Sequence, residues 1–229
     1  KTTSFSDIKN SLIKNMLNIS SDILDNEIFS SIKTIQNSSN DDLSFFSNIK
    51  YLNDLKNTKA KACLIQKKYV EHLPKNCKPI IVEDPYLALA ILSNVFFKQN
   101  NKSNGIVSDK TIISSKVKLE NNIQINPFTC VQHNSEIHKN VYIGSNTNIG
   151  PNVKIKKNTI IHDNVSISNA IIMENCEIKS GARIGGSGFG FEMNTKKKIL
   201  HNGNVIINKN STIGSNTTID RAVFDSTII

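Results

Sequence analysis

The sequence contains no tryptophan, and aromatic residues make up only 6% of its 229 positions. Its 28 lysines and arginines outnumber 19 acidic residues, for a formal net charge of +9, but they form no dense basic block and do not alternate with aromatic side chains. Domains that bind nucleic acid usually have a dense basic patch with aromatic side chains among the basic residues. The sequence therefore argues against nucleic-acid binding. The positive charge favours an acidic partner, such as a phosphate or an acidic carrier protein, or reflects a lysine-rich composition spread over solvated faces.

Signals for disulfides, membrane spans and secretion are missing as well. The four cysteines, Cys63, Cys77, Cys130 and Cys176, form no C-x-x-C motif, so we expect reduced, packed thiols in a reducing compartment, the cytoplasm. No apolar run reaches the length of a membrane span, and no secretory signal is visible. We therefore expect at most a peripheral proximity to membranes.

A strict period of six residues dominates the second half of the chain. An aliphatic residue occupies every sixth position in the series Val107, Ile113, Leu119, Ile125, Val131, Ile137, Ile143, Ile149, Ile155, Ile161, Ile167. Four residues after each, a small or β-branched residue recurs at Val117, Ile123, Thr129, Ser135, Val141, Thr147, Val153, Thr159 and Val165. Three residues after the aliphatic residue, asparagine recurs at positions 122, 134, 140, 146, 152, 158 and 164. Neither a helix nor an alternating strand has this period.

The period predicts a chain that forms a short strand, turns a corner and repeats, so that three sides close a triangular coil. The aliphatic residue points inward, the small residue fills the corner, and asparagine supplies the left-handed backbone conformation of the turn. We therefore predict a mixed fold: a left-handed parallel β-helix of hexapeptide repeats preceded by a small α/β domain. Its left-handed winding is an exception to the usual right-handed crossover.

The first part of the chain predicts the α/β domain. Residues 4–19 are expected to form a helix capped by Ser4 or Ser6, with an apolar face made of Ile8, Leu12, Ile13, Met16 and Leu17. Two β-like runs follow at 62–66 and 79–83, and Asp84-Pro85 begins a helix that continues to about residue 97. After a polar linker at 98–105, we place the domain boundary between 1–105 and 106–229.

The repeat is interrupted once. After Ile167 the register slips and restarts at Ile172, Ile178 and Ile184, and it resumes at Ile207, Ile213 and Ile219. Between these runs, residues 185–204 contain a glycine-rich segment and three consecutive lysines. An interruption of a solenoid predicts a loop at one corner, and such loops often carry function. Because the last coil lacks a cap, we expect further coils beyond Ile229.

Three segments together resemble the UDP-3-O-(3-hydroxyacyl)glucosamine N-acyltransferases of lipid A biosynthesis in Gram-negative bacteria. Leu43-Ser44-Phe45 with Asn48 and Tyr51 resembles their uridine-binding segment, and Asp84-Pro85-Tyr86-Leu87-Ala88 resembles the helix that precedes their β-helix. Gly188-Phe189-Gly190-Phe191, followed by Ile213-Gly214-Ser215-Asn216-Thr217-Thr218-Ile219-Asp220-Arg221, resembles their most characteristic stretch. The order and spacing agree over nearly the whole chain.

The resemblance implies an N-acyltransferase that moves a 3-hydroxyacyl chain from acyl carrier protein to the 2-amino group of a UDP-3-O-acyl-glucosamine. It implies a homotrimer with sites between neighbouring β-helices, no cofactor and no metal. The catalytic histidine of the family follows the Thr-Ile-Asp-Arg segment and would lie beyond Ile229. We therefore expect no catalytic residue within this chain, which would be inactive alone.

The resemblance also assigns binding residues. Phe45 and Tyr51 would sandwich a uracil ring, and Asn48 would read its edge through one donor and one acceptor. Gly188, Phe189, Gly190 and His201 would belong to a substrate loop. Two positions depart from the family pattern: Ser187 replaces a common aspartate, and His201 replaces a different polar residue.

Two other functions remain open at this point. A nucleotide-sugar acetyltransferase that uses acetyl-CoA has a similar β-helix, but usually follows a glycine-rich nucleotide fold, and no G-x-G-x-x-G occurs in residues 1–105. A non-catalytic hexapeptide scaffold is the other alternative. A metal site is not predicted, because His133 and His138 lack a third histidine upstream in a neighbouring coil, and His138 and His162 are expected on the outer surface.

Overall fold

The computed structural model describes residues 2–97 and 103–229. The chain forms two compact units, Lys1–Gln99 and Asn100–Ile229. Each unit has its own buried apolar core. Most of the linker predicted at 98–105 lies outside the described residues.

The described part of the first unit contains short strands, α-helices and 3-10 helices. Its strands are β1 (Thr3–Ser4), β2 (Ile19–Ser20), β3 (Ile28–Phe29), β4 (Leu43–Phe45), β5 (Ala62–Ile65) and β6 (Lys78–Val82). Its α-helices are α1 (Phe5–Lys14), α2 (Leu52–Lys56) and α3 (Pro85–Phe96), and its 3-10 helices span Ile49–Tyr51 and Lys67–His72. The two predicted β-like runs correspond to β5 and β6, and the predicted second helix corresponds to α3.

A four-stranded sheet in the order β2-β6-β5-β4 forms the centre of this unit. Strands β4, β5 and β6 are parallel, and β2 is antiparallel to β6. Because alternate side chains of a strand point to opposite faces, Ala62 and Leu64 of β5 join one buried cluster, and Cys63 and Ile65 join another. The first cluster also contains the buried side chains of α1 and α3. These two helices therefore cover one face of the sheet.

Helix α1 is shorter than the helix predicted at residues 4–19. Ser4 caps its start by accepting a hydrogen bond from the backbone N–H of Asp7. The helix ends at Lys14, and Met16 has a φ of +62° and is 94% exposed. A residue in the left-handed region cannot continue a right-handed helix. The predicted apolar face is therefore correct for Ile8 and Leu12, which are fully buried. It is wrong for Met16 and for Ile13, which is 54% exposed, while Leu17 packs partly buried against the core after the helix has ended.

The described part of the second unit consists of short strands in three parallel sheets. In chain order they are β7 (Ile112–Ile113), β8 (Lys118–Leu119), β9 (Gln124–Ile125), β10 (Cys130–Val131), β11 (Glu136–Ile137), β12 (Tyr142–Ile143), β13 (Asn148–Ile149), β14 (Lys154–Ile155), β15 (Ile160–Ile161), β16 (Ser166–Ile167), β17 (Ala170–Ile172), β18 (Glu177–Ile178), β19 (Arg183–Ser187), β20 (Asn204–Ile207), β21 (Thr212–Ile213), β22 (Thr218–Arg221) and β23 (Ser226–Ile228). The sheet orders are β22-β19-β16-β13-β10-β7, β23-β20-β17-β14-β11-β8 and β21-β18-β15-β12-β9. Every third strand along the chain pairs in parallel, so the fold is the predicted left-handed parallel β-helix.

The predicted inward residues form one apolar core. From Ile125 to Ile184 each aliphatic residue of the series is at most 2% exposed, and burial of such a side chain contributes about 1.5–3 kcal/mol. The slipped register is confirmed, since Ile172 pairs with Ile155. Val107 and Leu119 are each 40% exposed, because the first coil has a neighbouring coil on one side only within this unit.

The corners have the predicted left-handed conformation. The asparagines at positions 122, 134, 140, 146, 152, 158 and 164 have φ values from 52° to 60°. Some of their side chains also form a ladder along the corner, in which Asn122 donates to Asn140 (2.7 Å) and Asn140 donates to Asn158 (3.0 Å). Asparagine therefore stabilises these corners in two ways. It tolerates a positive φ, and its side chain forms hydrogen bonds between neighbouring coils.

A projection interrupts the coils where the loop at 185–204 was predicted. The chain leaves the β-helix at the end of β19, pairs Phe191 with Lys198 in an antiparallel bridge, and returns at β20. On either side of the projection the ladders continue, since Ile184 pairs with Ile219 and Ile172 pairs with Ile207. The projection therefore leaves the stacking of the coils intact.

Neither membrane-spanning helices nor disulfides are found in the described residues. No helix there is long and apolar enough to cross a membrane. All four cysteines are free, and Cys63, Cys77 and Cys176 are buried. Burial raises the pKa of Cys63, and it raises the pKa of Cys77 to about 12. Both thiols are therefore protonated at neutral pH.

Phe128 tests the role of the left-handed corners, because it occupies a corner position that is asparagine in the coils that follow. Its φ is +63° and it is 66% exposed, so little burial offsets the backbone strain. We expect Phe128→Asn to raise the free energy of unfolding by about 1 kcal/mol, measured by urea unfolding followed by circular dichroism. Asn146→Phe, at a corner with φ +55°, is the matched control and should lower stability. A Phe128→Asn variant no more stable than the parent would contradict the explanation.

Candidate functional site

The residues predicted to bind uridine lie at the carboxyl edge of the parallel strands in the first unit. Phe45 ends β4, and Asn48 caps the 3-10 helix that contains Tyr51. Phe45, Asn48 and Tyr51 all line one cavity of about 230 Å³. In open α/β sheets, ligands bind outside the carboxyl ends of the strands. The structure therefore brings the three residues together at an edge suited to a ligand.

Two aromatic rings give this cavity flat apolar walls. Phe45 is half-buried and packs against the cluster formed by α1, α3 and the sheet, with its ring centroid 6.4 Å from that of Tyr86. Tyr51 is 49% exposed, which leaves its ring accessible. Phe46 also lines the cavity, but its ring is buried next to Tyr69 in the cluster on the other face of the sheet. Flat apolar walls suit the faces of a planar heteroaromatic base.

The side chain of Asn48 is oriented by the backbone. Its Oδ1 accepts a hydrogen bond from the N–H of Lys50 at 3.0 Å. The amide nitrogen therefore points away from Lys50, and it donates to no protein group in residues 2–97 and 103–229. Oδ1 keeps a second lone pair. Asn48 thus presents its N–H donors to the cavity more readily than its oxygen acceptor. The sequence predicted that Asn48 offers both a donor and an acceptor to the base, and this geometry favours the donor.

A buried carboxylate holds the start of β4. Asp42 is 1% exposed, and it accepts hydrogen bonds from the backbone N–H and hydroxyl of Ser39 at 2.8 and 2.6 Å and from Lys33 at 3.0 Å. Burial raises the pKa of Asp42, but these hydrogen bonds together outweigh burial and lower the pKa from its ordinary value of 3.8. The ionised carboxylate therefore stabilises the turn that leads into β4 and Phe45.

A larger groove of about 530 Å³ lies beside the same edge of the sheet, next to the ends of β5 and β6. Its lining residues are Asn18, Ile19, Ser20, Gln66, Lys67, Lys68, Ile81, Val82 and Glu83. None of them is aromatic, so the groove offers no ring on which a base could stack. The smaller cavity at Phe45 is therefore the better candidate for a nucleobase, although its volume is lower.

The predicted substrate loop is organised around His201, which is 7% exposed. A Cβ placed on Gly188 would lie 3.1 Å from Nε2 of the His201 ring, and a Cβ on Gly190 would lie 3.2 Å from its Cε1. The glycines therefore allow the loop backbone to pack closely against the ring. Phe189 does not join this group, because it is 92% exposed and its ring lies 5.0 Å from that of Phe191.

Two buried nitrogen atoms near this loop have no hydrogen-bond partner in the described part of the chain: Nδ1 of His201 and Nε of Arg221. Arg221 donates through Nη2 to the hydroxyl of Ser187 at 3.2 Å. A carboxylate oxygen of Asp220 would lie 3.5 Å from a Cβ on Gly188. Because a buried polar atom without a partner costs about 1–3 kcal/mol, such atoms mark places where a ligand group can bond.

Sequence reasoning missed residues in both places. Thr34 and Gln36 line the cavity at Phe45, and Arg221 was assigned no role at the loop. Gln36 belongs to no motif or period, so no signal in a single sequence could identify it. Ser187 was noted as a departure from the family pattern, and its contact with Arg221 was not foreseen.

The outer histidines of the β-helix pair with neighbouring coils. Nδ1 of His138 lies 2.9 Å from Glu120, and its Nε2 lies 3.2 Å from Nζ of Lys156. Nε2 of His162 lies 2.8 Å from Glu177. Both side chains lie on the outer surface, as predicted.

Parts of both units match known protein families. Residues 28–95 match the family LpxD, UDP-3-O-(3-hydroxymyristoyl) glucosamine N-acyltransferase. Residues 131–224 match the GMPPB C-terminal domain. The first match includes Phe45, Asn48 and Tyr51, and the second includes most of the coils and the projection.

Curated proteins match most of the chain. The UDP-3-O-acylglucosamine N-acyltransferase of Helicobacter pylori (strain HPAG1) is 44% identical over 191 residues, which cover 82% of this chain and 55% of that protein. The enzyme of the same name from Rickettsia prowazekii is 41% identical over 200 residues, with coverages of 86% and 58%. UDP-3-O-acylglucosamine N-acyltransferase 2 of Legionella pneumophila is 40% identical over 202 residues, with coverages of 87% and 59%. The chain spans just over half the length of these relatives.

Protonation of Asp42 at acid pH should lower the stability of the first unit. Because its folded pKa lies below 3.8, its stabilisation is present above that pH and is lost as the pH falls toward the folded pKa. We expect Asp42→Asn to lower the free energy of unfolding at pH 7 by about 1–3 kcal/mol and to flatten its dependence on pH below 3.8. Urea unfolding between neutral and acid pH measures both effects. The exposed neighbour Asp41→Asn is the control, and equal pH slopes in all three proteins would refute the role of Asp42.

The packing of His201 on the loop glycines can be tested by a double-mutant cycle. Gly188→Ala should destabilise the loop, because the new Cβ would press against the imidazole ring. His201→Ala removes the ring, so Gly188→Ala should cost less in that background, with a coupling energy of about 1 kcal/mol or more. Hydrogen exchange of the amides in residues 188–203 reports local opening. Gly214→Ala, whose nearest neighbour is the hydroxyl of Thr217, serves as control. Additive effects of the two changes would exclude the contact.

Proposed function

We propose that this chain, a relative of the UDP-3-O-acylglucosamine N-acyltransferases over 82% of its length, forms the uridine-binding unit and a set of β-helix coils of an enzyme with that activity. In this proposal residues 1–105 bind the nucleotide and residues 106–229 belong to the acyl-transfer unit. The reaction moves a 3-hydroxyacyl chain from acyl carrier protein to the 2-amino group of a UDP-3-O-acyl-glucosamine.

The cavity lined by Phe45, Asn48 and Tyr51 supports this proposal most directly. It combines two aromatic walls with an oriented amide at the carboxyl edge of a parallel sheet. This combination suits a planar base that carries hydrogen-bonding groups on its edge. The same residues fall within the stretch that matches the N-acyltransferase family.

The proposed substrates agree with the charge of the chain. A UDP-sugar carries an anionic diphosphate, and carrier proteins that deliver acyl chains are acidic partners of the kind that a net charge of +9 favours. The positive charge is therefore expected to speed the encounter with both substrates. The effect should decrease as salt screens the charges.

The chemistry requires an amine to attack the carbonyl carbon of a thioester. A general base removes the proton from the attacking amine, and backbone N–H groups stabilise the negative charge that develops on the carbonyl oxygen. In this proposal the base is a histidine outside this chain, in the coil that follows the Thr-Ile-Asp-Arg segment. The residues of this chain bind and orient the nucleotide sugar.

The loop at His201 has a supporting role in the proposal. Nδ1 of His201 and Nε of Arg221 are buried and unpaired in the described residues, so each can bond to a polar group of the substrate. Gly188 and Gly190 allow a ligand to approach the backbone closely. We place the acyl-sugar part of the substrate against this loop, at the boundary between neighbouring β-helices of a homotrimer.

Binding of UDP tests the proposal at its first step. The double change Phe45→Ala and Tyr51→Ala should weaken UDP binding by at least about tenfold, because stacking of a base on an aromatic ring contributes about 1–3 kcal/mol. Isothermal titration calorimetry with UDP measures the dissociation constant of the full chain. Phe224→Ala removes a ring of the second unit that is 72% exposed, and it should leave binding unchanged.

In an active enzyme that contains this chain, the same double change should raise KM for the nucleotide sugar with less effect on kcat, as loss of ground-state binding does. Acyl transfer from carrier protein would separate the proposal from its alternatives. Transfer from acetyl-CoA instead would favour an acetyltransferase, and no transfer from either donor would favour a scaffold. Equal UDP binding by the parent and the double variant would remove the uridine assignment.

A further inference from the structure

The cavity at Phe45 contains a second oriented amide, which belongs to Gln36. Its Nε2 donates to Oδ2 of Asp54 at 2.9 Å, and Gln36 lines the cavity together with Asn48. An ionised carboxylate can only accept hydrogen bonds. The nitrogen end of the Gln36 amide must therefore face Asp54, which leaves the carbonyl oxygen Oε1 as the polar atom available to a ligand.

Asn48 is fixed in the opposite sense. The backbone N–H of Lys50 can only donate, and it bonds to Oδ1 of Asn48 at 3.0 Å. The nitrogen end of this amide must therefore point away from Lys50. Both orientations follow from the partners, because the carboxylate of Asp54 can only accept a hydrogen bond and the N–H of Lys50 can only donate one. The cavity thus combines one oriented acceptor, from Gln36, with one oriented donor, from Asn48.

Uracil and cytosine differ in this respect. The N3 atom of uracil carries a hydrogen and its C4 carries a carbonyl oxygen, so the edge reads donor, then acceptor. In cytosine N3 is an acceptor and C4 carries an amino group, so the same two positions read acceptor, then donor. A site with a fixed acceptor and a fixed donor therefore distinguishes the two bases, provided that neither amide can rotate.

We propose that Gln36 is a specificity-determining residue that accepts the N3 hydrogen of uracil while Asn48 donates to O4, so that the cavity selects uridine over cytidine nucleotides. The inference rests on the proposed uridine site and adds its base selection. With cytosine in the same pose, the Gln36 oxygen faces the N3 lone pair and the Asn48 amide faces an amino group. Both contacts are then repulsive.

Asp54 acts as a positioning residue in this arrangement. It lies in α2, away from the lining of the cavity, and its bond to Gln36 is exposed to solvent. An exposed bond of this kind contributes little to the stability of the fold. The bond instead holds the Gln36 amide in one orientation, because a flipped amide would place its oxygen against the carboxylate of Asp54.

Titration of the full chain with UDP and with CDP tests the inference. The parent should prefer UDP by at least about tenfold, since with CDP the Gln36 oxygen and the Asn48 amide each face a group of their own hydrogen-bonding type. Gln36→Met keeps the length of the side chain and removes its acceptor. It should weaken UDP binding by about tenfold without weakening CDP binding, and so reduce the preference for UDP to the part that Asn48 supplies.

Two further variants separate base selection from a general loss of structure. Asp54→Asn leaves Gln36 in place and permits both amide orientations, so it should lower the preference for UDP by an intermediate factor. Gln66→Met makes the same change at a glutamine of the neighbouring groove and should leave both affinities unchanged. A merely structural effect of Gln36→Met would lower both affinities together and would overturn the inference.

The outcomes distinguish this inference from the function on which it rests. The role of Gln36 is wrong, and the uridine site stands, if the parent binds UDP through Phe45 and Tyr51 but binds CDP equally well. The same holds if Gln36→Met keeps the full preference of the parent for UDP. If the parent binds neither nucleotide, or if Phe45→Ala with Tyr51→Ala leaves UDP binding unchanged, the role of Gln36 and the uridine site are both wrong.

Discussion

The left-handed conformation of one corner residue determines the architecture of the second unit. At each asparagine corner φ is positive, and the chain turns there from one flat side of the coil to the next. The corner residue and the inward aliphatic residue then follow at fixed distances along the chain. The side-chain types therefore repeat every six residues because the backbone conformation repeats every six residues.

The interior of the corners shows why a hydroxyl side chain is accepted there as well as an apolar one. The buried hydroxyls of Thr129, Ser135, Thr147 and Thr159 donate to carbonyl oxygens of a neighbouring coil at 2.8–3.0 Å. Cys176 occupies an equivalent position and directs its sulfur toward the carbonyl of Asn208 at 3.0 Å. These side chains fill the corner and bond to main-chain oxygens there, so their burial leaves no polar atom unpaired.

The two units differ in how much of each could be predicted from the sequence, because their determinants differ in range. The β-helix follows from residues at most six positions apart, and its core, its corners, its slipped register and its projection were all predicted. In the first unit, the left-handed Met16 ended a helix that the apolar pattern would have continued. The second amide of the cavity depends on the contact of Gln36 with Asp54, which are 18 residues apart. Such contacts leave no pattern in a single sequence.

The repeat also explains where function can be added to this fold. Residues that form the coils are constrained on the inside by the core and at the corners by backbone conformation, as Gly185 shows: a Cβ at its φ of +81° would overlap the carbonyl oxygen of Ser168. The segment between β19 and β20 is free of these constraints, because the ladders close on both sides of it. His201 lies in this segment and can therefore vary with the ligand while the coils stay in register. Two positions depart from the pattern of the family that this chain resembles. His201 lies in this segment, where a change of binding contacts costs the fold least, and Ser187 is the last residue of β19, directly before it.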